Sequence, residues 1–513
     1  MTNDTSVTSD RSFFGQPRGL STLFFTEMWE RFSFYGLRPL LILFMSAALL
    51  DGGFGFERAQ ASAIVGIYAA CVYLASLPGG WIADRLLGLR RAIAYGAVLI
   101  SSGHIMVGLS AFAHGKLPFF LGLILIVLGT GLLKPNISAI VGDLYPESGA
   151  RRDAGFSIFY MGINIGAFAG QLVTGFLGES VGWHWGFGAA GVGMLIGLFT
   201  FLTLQKKTLG NIGLEPTRNP DPVRQARAEK QAKVAVVIGL AILLSVVLLA
   251  AIGVIVPNPQ VIGTYMTYVL VGTAFLYFGY LFLIAGLTGD EKRRIAVIMV
   301  LFVFAAVFWS AFEQAPTSLN LFARDFTDRQ FGSFEVPATW FQSINSAFVI
   351  LLAPVFAGLW VWLSKRPGGD LSSPGKFSLG LALAGLGFLV MTFAANRVLD
   401  SGGALKVSAW WLTFSYLFQT LGELSLSPVG LSSMTKLSPR KYVGQMMGIW
   451  FLASAVGNLI GGLVGGQVDP EKLEQMPRLF TLTTASLFIA AVVLGLLVIP
   501  INRMMKNNSQ ATS

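Results

Sequence analysis

Seven ionisable side chains interrupt the long apolar stretches of this 513-residue sequence. They are four acids and three bases: Glu27, Glu30, Arg31, Arg38, Lys134, Glu313 and Glu423. Each would cost roughly 2.5–3.5 kcal/mol at the centre of a membrane helix, and groups of this kind mark substrate pathways or proton relays. We therefore expect them to face an interior cavity and to pair with one another. The alternative is that they are salt bridges that only hold a helix bundle together.

The spacing of the first four charges predicts one functional helix face. Glu27, Glu30 and Arg31 stand at positions i, i+3 and i+4, which places two carboxylates beside one guanidinium. Arg38 follows two helical turns later on the same face. Because four acids oppose three bases, at least one carboxylate lacks a cation inside the membrane. Such a carboxylate is a candidate proton carrier, unless water or substrate balances its charge.

Composition shows which elements must position these residues. Hydrophobic residues make up 54% of the chain and charged residues 12%, against roughly 25% charged in soluble proteins. Soluble, disordered and disulfide-stapled chains are excluded, the last because Cys71 is the single cysteine. Apolar runs of about 20 residues can cross a bilayer as helices, and they do not alternate in polarity as barrel strands do. Fourteen spans are predicted: 22–50, 60–83, 92–113, 118–141, 154–177, 184–205, 234–256, 261–287, 295–322, 339–364, 376–395, 408–432, 443–467 and 478–502.

The basic residues indicate orientation. With both termini in the cytoplasm, cytoplasmic segments hold 25 Lys and Arg residues, external segments hold eight, and three lie inside spans, which accounts for all 36. This asymmetry is what the positive-inside rule expects. It explains the net charge of +10 by membrane orientation, so no nucleic-acid partner is predicted.

The longest polar interruption divides the chain. Residues 206–233 contain three prolines and a basic, alanine-rich run, interpreted as a cytoplasmic linker that ends in a short surface helix. We predict an N-terminal six-helix bundle in 1–205, a linker and inserted helix pair in 206–290, and a C-terminal six-helix bundle in 291–513. Two six-helix halves are typical of secondary transporters. The cations then lie in one half and Glu313 and Glu423 in the other, as alternating access requires.

Polar and aromatic residues accompany the charges, although core packing is the alternative explanation for any single aromatic residue. They are Tyr35, Tyr68, Tyr73, Asn164, Trp309, Asn345, Trp450 and Ser454. An enzyme is not predicted: the GxGxxG match at 186–191 opens a membrane span, outside a strand–turn–helix context. Three scattered histidines and one cysteine do not form a usual zinc site, so neither a metal nor a cofactor is expected.

Several motifs resemble those of the proton-dependent oligopeptide transporter family, in the major facilitator superfamily. Glu27-Met-Trp-Glu30-Arg31 is similar to the family's ExxER signature, and Phe159-Tyr160-Met-Gly-Ile-Asn164 is similar to its FYxxIN motif. Further similar segments, in chain order, are 80–91, 131–136, 308–314 and 423–428. The resemblance implies an all-α membrane protein with the major facilitator fold: two six-helix bundles plus two inserted helices, as in bacterial relatives.

The resemblance also implies proton-driven uptake of di- and tripeptides across a bacterial inner membrane. No obligate protein partner is predicted. By similarity, Arg31 and Lys134 would attract the peptide carboxylate, Glu423 its amino group, and Asn164 and Asn345 its backbone. The side-chain pockets would be lined by Tyr35, Tyr68, Trp309, Trp450, Phe451 and Ser454.

Two gates are implied as well. Arg38 with Glu313 would form an external gate, opened when Glu313 is protonated, and Lys134 with Glu423 a cytoplasmic one. Glu27 and Glu30 are further proton-coupling candidates. Because a fold does not fix its cargo, the alternative function is a proton-coupled carrier of nitrate or a drug-like molecule.

Overall fold

A computed structural model describes residues 10–113, 115–145, 149–217, 221–366 and 371–506, and the chain is nearly all helical. The first helices in chain order are α1 (Arg18–Ser46), α2 (Arg58–Ile82), α3 (Leu89–Ala113), α4 (Lys116–Asp143), α5 (Ala150–Phe176), α6 (Trp183–Thr208), α7 (Pro222–Ala251) and α8 (Pro259–Leu283). The remaining helices are α9 (Gly289–Phe312), α10 (Asn320–Phe326), α11 (Trp340–Ser364), α12 (Ser373–Asp400), α13 (Trp410–Leu437), α14 (Val443–Gly465) and α15 (Gln475–Lys506). Residues 1–9 and 507–513, at the two ends of the sequence, lie outside the described residues.

A π-helical turn, Ala315–Leu319, joins α9 and α10 into one helical segment over Gly289–Phe326. The described residues therefore form fourteen long helical segments, as predicted. Twelve of these are apolar and long enough to cross a membrane. The two that fall short in apolarity are α1 and α13, of 29 and 28 residues, which carry five of the seven ionisable groups identified in the sequence.

Regular β structure in the described residues is confined to four strands of two residues each: β1 (Thr327–Asp328), β2 (Gln330–Phe331), β3 (Phe334–Glu335) and β4 (Val407–Ser408). β2 and β3 pair antiparallel, with Gln330 opposite Glu335. β1 and β4 pair in parallel, with Thr327 opposite Val407. These pairs lie in the connections that follow α10 and α12, so they leave the helical fold class unchanged.

The start of α7 corrects one sequence-based prediction. The short surface helix predicted before residue 234 is continuous with the next membrane span, and the two form the single helix α7. Asp221 caps this helix by accepting hydrogen bonds from the backbone N–H groups of Val223 (2.9 Å) and Arg224 (3.3 Å), and Pro222 occupies the first turn. No helix breaker follows in the alanine-rich run, so the helix continues into the apolar stretch.

Internal packing divides the chain into two compact units. Unit 1 comprises Met1–Leu40, Ala47–Gly55 and Cys71–Asn258, and unit 2 comprises Leu41–Ser46, Phe56–Ala70 and Pro259–Ser513, with the gaps stated above. In unit 1, α3 packs against α4 and α6. In unit 2, α12 packs against α13 and α15, and α14 packs against α8 and α9.

Small residues bring α1 and α5 into close contact within unit 1. Gly162, Gly166 and Gly170 recur every fourth residue along α5, so they lie on one helix face. A Cβ atom at Gly166 would collide with the carbonyl oxygen of Met28, and one at Gly170 with that of Phe32. One turn further, Thr174 donates a hydrogen bond to the carbonyl oxygen of Gly36 (2.8 Å). This small-residue stripe lets the two backbones approach closely, as in other membrane helix pairs.

Candidate functional site

The first group of site residues is an ion-paired cluster on α1. Arg31 Nε lies 2.9 Å from Glu27 Oε1 and 2.6 Å from Glu30 Oε2, and all three side chains are at most 3% exposed. The guanidinium group also lies over the ring of Phe34, 5.5 Å from its centroid. The i, i+3, i+4 spacing predicted this arrangement, and the pairing is present. Two carboxylates share one cation, so the cluster has an excess of negative charge.

Lys134 lies on α4 in the same unit. Its ammonium group is 4.4 Å from the centroid of the Tyr73 ring on α2, a cation–π contact. Glu30 lies within electrostatic range of this lysine. Pro135 follows it inside the same helix. Lys134 is therefore part of the same charged region as the α1 cluster.

Tyr73 is a residue that the sequence-based set of binding residues omitted. That set named Tyr68, whose side chain is buried and which belongs to unit 2. Tyr68 and Tyr73 stand five residues apart on α2, so they point in different directions around the helix. The sequence alone does not give the rotation of α2 relative to Lys134, so it could not identify Tyr73 as the ring in contact with this lysine.

The remaining predicted residues of unit 1 lie on α1 and α5. Asn164 is 8% exposed and donates a hydrogen bond through Nδ2 to the carbonyl oxygen of Tyr160 (3.0 Å), which leaves its side-chain oxygen as an acceptor. Tyr35 is partly exposed, and its ring meets that of Phe34 edge to face. Arg38 is buried on α1.

The second group of site residues lies in unit 2 and centres on Glu423 of α13. Asn345 of α11 donates hydrogen bonds through Nδ2 to Glu423 Oε2 (3.1 Å) and Thr420 Oγ1 (2.9 Å). Thr420 stands one turn before Glu423 on the same helix and is itself buried. The amide thus fixes the orientation of the carboxylate. An oriented carboxylate of this kind can bind an ammonium group.

Trp309 and Glu313 lie at the end of α9. The Trp309 ring packs edge to face on Phe308 and Phe312, and its buried Nε1 has no hydrogen-bond partner among the described residues. Glu313 is buried and caps the C-terminus of α9. Gly457 and Gly461 of α14 allow that helix to approach here, because a Cβ atom at either position would press against the α9 segment.

The other predicted aromatic residues of unit 2 lie on α14. The Trp450 ring occupies the space that a side chain at Gly430 of α13 would fill, and it meets Phe377 edge to face. Ser454 is buried one turn further along, while Phe451 is half-buried. Trp450 is thus held by packing on α12 and α13.

An ion pair that sequence reasoning missed lies at the N-terminus of α2. Arg58 Nη1 donates hydrogen bonds to Asp325 Oδ2 on α10 (2.5 Å) and to the carbonyl oxygen of Val468 (2.9 Å). Asp325 also accepts a hydrogen bond from Arg324 Nε (2.9 Å). Arg58 and Asp325 are 267 positions apart in the chain, so no local spacing could predict their pairing.

The structure thus brings together Glu27, Glu30 and Arg31, and separately Asn345 and Glu423. The two predicted gate pairs, Arg38 with Glu313 and Lys134 with Glu423, each combine one residue of unit 1 with one of unit 2. They stay predictions.

Helices long enough to span a bilayer, with oriented and ion-paired charges between apolar faces, define a multi-pass membrane transporter rather than an enzyme. Residues 90–210 and 276–479 match the family model PTR2, described as the POT family. The chain belongs to this family, and its fold is that of the major facilitator superfamily.

Individual relatives cover almost the whole chain. The peptide transporter YePEPT of Yersinia enterocolitica subsp. palearctica is 50% identical over 99% of both chains. A di-/tripeptide transporter of Lactococcus lactis subsp. cremoris is 37% identical over 97% of this chain and 98% of its own.

Two solved structures are similar over nearly their full length. A peptide transporter POT in complex with sulfate has a TM-score of 0.88 at 38% identity, covering 98% of this chain and 99% of that one. A POT family transporter in complex with 5-aminolevulinic acid has a TM-score of 0.86 at 34% identity, covering 96% of this chain and 98% of that one.

Proposed function

We propose that the protein is a proton-coupled symporter that imports di- and tripeptides. The relatives that cover almost the whole chain are named peptide or di-/tripeptide transporters, which supports the substrate class. The observation that carries the proposal is the carboxylate of Glu423, oriented by Asn345 in unit 2, while unit 1 holds the cations Arg31 and Lys134. A short peptide is a zwitterion with separated charges, and these two sets offer a partner for each.

The peptide termini are bound by opposite charges in this proposal. Arg31 and Lys134 bind the carboxylate, and Glu423 binds the amino group. Asn164 and Asn345 bind the peptide backbone, since each amide can donate and accept hydrogen bonds. Because termini and backbone are common to all short peptides, such a site accepts many side chains.

The side chains of the peptide then meet mainly apolar surfaces. In the proposal these are formed by Tyr35, Tyr68, Trp309, Trp450, Phe451 and Ser454, and we add Tyr73 because of its contact with Lys134. The Trp309 Nε1 has no hydrogen-bond partner in the part of the chain that the structure describes, which supports its inclusion. A buried indole N–H without a partner is costly until a ligand or water accepts its hydrogen bond.

We assign proton coupling to carboxylates that either pair with a basic side chain or bind a proton. We propose that Glu313 pairs with Arg38 when ionised and releases it when protonated, and that Lys134 with Glu423 forms the second gate. The Glu27–Glu30–Arg31 cluster is a further proton-coupling element, because two carboxylates there share one guanidinium.

The proposed location is the bacterial inner membrane, with both termini in the cytoplasm. The distribution of Lys and Arg in the loops supports this orientation, and the relatives named above are bacterial.

The test is uptake of labelled dialanine by liposomes that contain the purified protein, with an imposed pH gradient, acid outside. We expect accumulation above the external concentration, abolished by a protonophore. Excess unlabelled di- or tripeptide competes, whereas free amino acids and nitrate do not. Competition by nitrate, with no effect of peptides, would support the alternative carrier function instead.

Matched variants assign the terminus-binding roles. Lys134→Ala and Glu423→Ala are each expected to impair saturable dialanine uptake. Lys207→Ala and Glu474→Ala serve as controls, because both side chains are exposed. Normal uptake by either site variant would refute the terminus-binding model.

A further inference from the structure

The segment that precedes α1 is folded back on itself and bonded to the rest of unit 1. Phe13 and Gln16 exchange two backbone hydrogen bonds (3.1 and 2.8 Å) around the residues Phe14 and Gly15, whose φ angles are 50° and 75°. Two successive positive φ values are the mark of a type I′ turn. Phe14 adopts this conformation although its side chain is 78% exposed. A bulky exposed residue at positive φ is unfavourable, so contacts elsewhere in the segment must stabilise the turn.

Asp10 supplies one set of these contacts. Its carboxylate accepts hydrogen bonds from the backbone N–H groups of Ser12 (3.0 Å) and Arg18 (2.9 Å) and from the Ser12 hydroxyl (3.0 Å). Arg18 is the first residue of α1, so the carboxylate ties the segment to the N-terminus of that helix. A negative charge at this position is favourable.

A second set of contacts joins the segment to the end of α4 and the beginning of α5. The Tyr145 hydroxyl donates a hydrogen bond to Gln16 Oε1 (3.0 Å), and both residues are only 6% exposed. Arg151 Nη2 donates a hydrogen bond to the carbonyl oxygen of Asp10 (2.5 Å). Burial raises the pKa of Tyr145 to about 12 despite the neighbouring Arg151, so its hydroxyl stays a donor at physiological pH.

Gly155 of α5 makes room for the Tyr145 ring. A Cβ atom at Gly155 would collide with the Tyr145 hydroxyl. The ring therefore lies directly on the first turns of α5, and the absence of a side chain at residue 155 is required for its hydrogen bond to Gln16.

We propose that residues 10–17 are a tether that holds the end of α4 and the beginning of α5 onto the start of α1, with Gln16 and Tyr145 as its positioning residues. The small-residue stripe already packs α5 against α1 further along both helices. Together with the tether, the contacts between these two parts of unit 1 extend from Asp10 to Thr174. The three helices carry Arg31, Lys134 and Asn164, and the tether keeps these residues in one rigid body during transport. This inference rests on the proposed function only for its effect on uptake.

A set of variants distinguishes loss of the tether from general destabilisation of the protein. Tyr145→Phe removes the donor, Gln16→Leu removes the acceptor, and Gly155→Ala displaces the ring, whereas Gln16→Glu keeps an acceptor oxygen. Tyr268→Phe is the matched control, because its side chain is 67% exposed on α8 in the other unit.

Hydrogen–deuterium exchange of the purified protein tests the tether without any transport assay. We expect Tyr145→Phe, Gln16→Leu and Gly155→Ala to raise the exchange of amides in 10–17 and 149–155 by about fivefold, the order of magnitude for one lost hydrogen bond. Combining Tyr145→Phe with Gln16→Leu should add no further increase, since both remove the same bond. Unchanged exchange, or multiplicative effects in the double variant, would overturn the tether.

Dialanine uptake tests its role in transport. We expect the three disrupting variants to lower the maximal rate by about threefold or more, because the three helices no longer move as one rigid body. KM should stay within about twofold of the wild type, because the small-residue stripe still packs α5 against α1. Gln16→Glu and Tyr268→Phe should match the wild type. Raised exchange with an unchanged maximal rate would refute the role in transport. If the wild type itself takes up no peptide, the proposed function fails, while the exchange result still decides whether the tether exists.

Discussion

Asn345 and Glu423 are joined by a hydrogen bond of 3.1 Å that links α11 to α13, although 78 residues separate them in the chain. The same amide nitrogen is 2.9 Å from Thr420 Oγ1, so Asn345 can adopt few other orientations. The carboxylate of Glu423 is therefore oriented before any substrate arrives. Preorganisation of this kind lowers the entropic cost of binding.

Replacement of Asn345 tests this relationship. Asn345→Leu leaves Glu423 without its donor, and hydrogen bonds to charged groups contribute about 1.5–3 kcal/mol. We expect dialanine uptake at low substrate concentration to fall by about tenfold or more. In a Glu423→Gln background the same replacement should have a much smaller effect. Equal effects of Asn345→Leu in both backgrounds would show that the two residues act independently.

The ion-paired cluster on α1 predicts that the protein loses stability when the shared cation is removed. Arg31→Ala leaves the buried carboxylates of Glu27 and Glu30 without their cation, which costs about 3–5 kcal/mol in comparable buried pairs. We expect a lower melting temperature in detergent, partly restored when Glu27→Gln and Glu30→Gln are added. Arg224→Ala is the control, since its side chain is 79% exposed. A melting temperature equal to that of the control would mean that Lys134 or solvent compensates the carboxylates.

Glu313 is the residue proposed to couple proton binding to gating. Glu313→Gln mimics a permanently protonated side chain, so we expect it to abolish gradient-driven accumulation of dialanine while peptide exchange continues. Counterflow and pH-driven uptake, measured on the same liposomes, distinguish the two activities. Glu474→Gln should retain both. Gradient-driven concentration of peptide by Glu313→Gln would refute the assigned role.

The small-residue stripe on α5 predicts that an added methyl group lowers the stability of the protein. Gly166→Ala and Gly170→Ala would each place a Cβ atom against a backbone carbonyl of α1, and overpacking of this kind costs about 1–3 kcal/mol. We expect both variants to unfold at lower temperature than the wild type. Gly188→Ala on α6 is the matched control, because no heavy atom of the described residues lies within 4 Å of its Cβ position. If all three variants melt alike, α1 and α5 are less closely packed than described.

The lowered pKa of Asp10 predicts how the stability of the N-terminal segment depends on pH. The backbone N–H of Arg18, together with Ser12, holds the pKa of Asp10 below its ordinary value of 3.8. A lowered folded-state pKa means that the stabilisation is present above the unfolded pKa and is lost only as pH falls through the folded one. Exchange protection of the Ser12 and Arg18 amides should therefore be constant between about pH 5 and about pH 8. Asp10→Ala should abolish it at every pH; protection that changes within this range in the wild type would mean that another group controls the segment.

Local spacing predicted some of the site and none of its long-range pairs. Glu27, Glu30 and Arg31 could be assigned to one cluster because helical geometry fixes the distance between residues three and four positions apart. The pairs Asn345–Glu423 and Arg58–Asp325 depend on how separate helices pack, which spacing within one helix does not determine. The resemblance to the transporter family supplied roles for the first pair but did not identify the second.

The helices themselves were largely predictable, since apolar length determines where a chain crosses a membrane. The beginning of α7 was not, because the helix extends through a basic, polar stretch that hydropathy assigns to a linker. The contact between Tyr73 and Lys134 depended on the rotation of α2, which its nearly uniform apolar sequence does not encode. The stripe Gly162, Gly166 and Gly170 was visible in the sequence as a four-residue repeat, but its partner helix was not.

The low apolarity of α1 and α13 has a consequence for biogenesis. A translocon releases segments into lipid according to their hydrophobicity, and ionisable residues near a helix centre oppose that release. α1 leaves the ribosome with Glu27, Glu30, Arg31 and Arg38 before the helices that follow it exist to shield them. Its stable insertion must therefore wait for later helices such as α5, whose glycine-lined face it packs against, so the nascent chain matures as a group of helices rather than one span at a time.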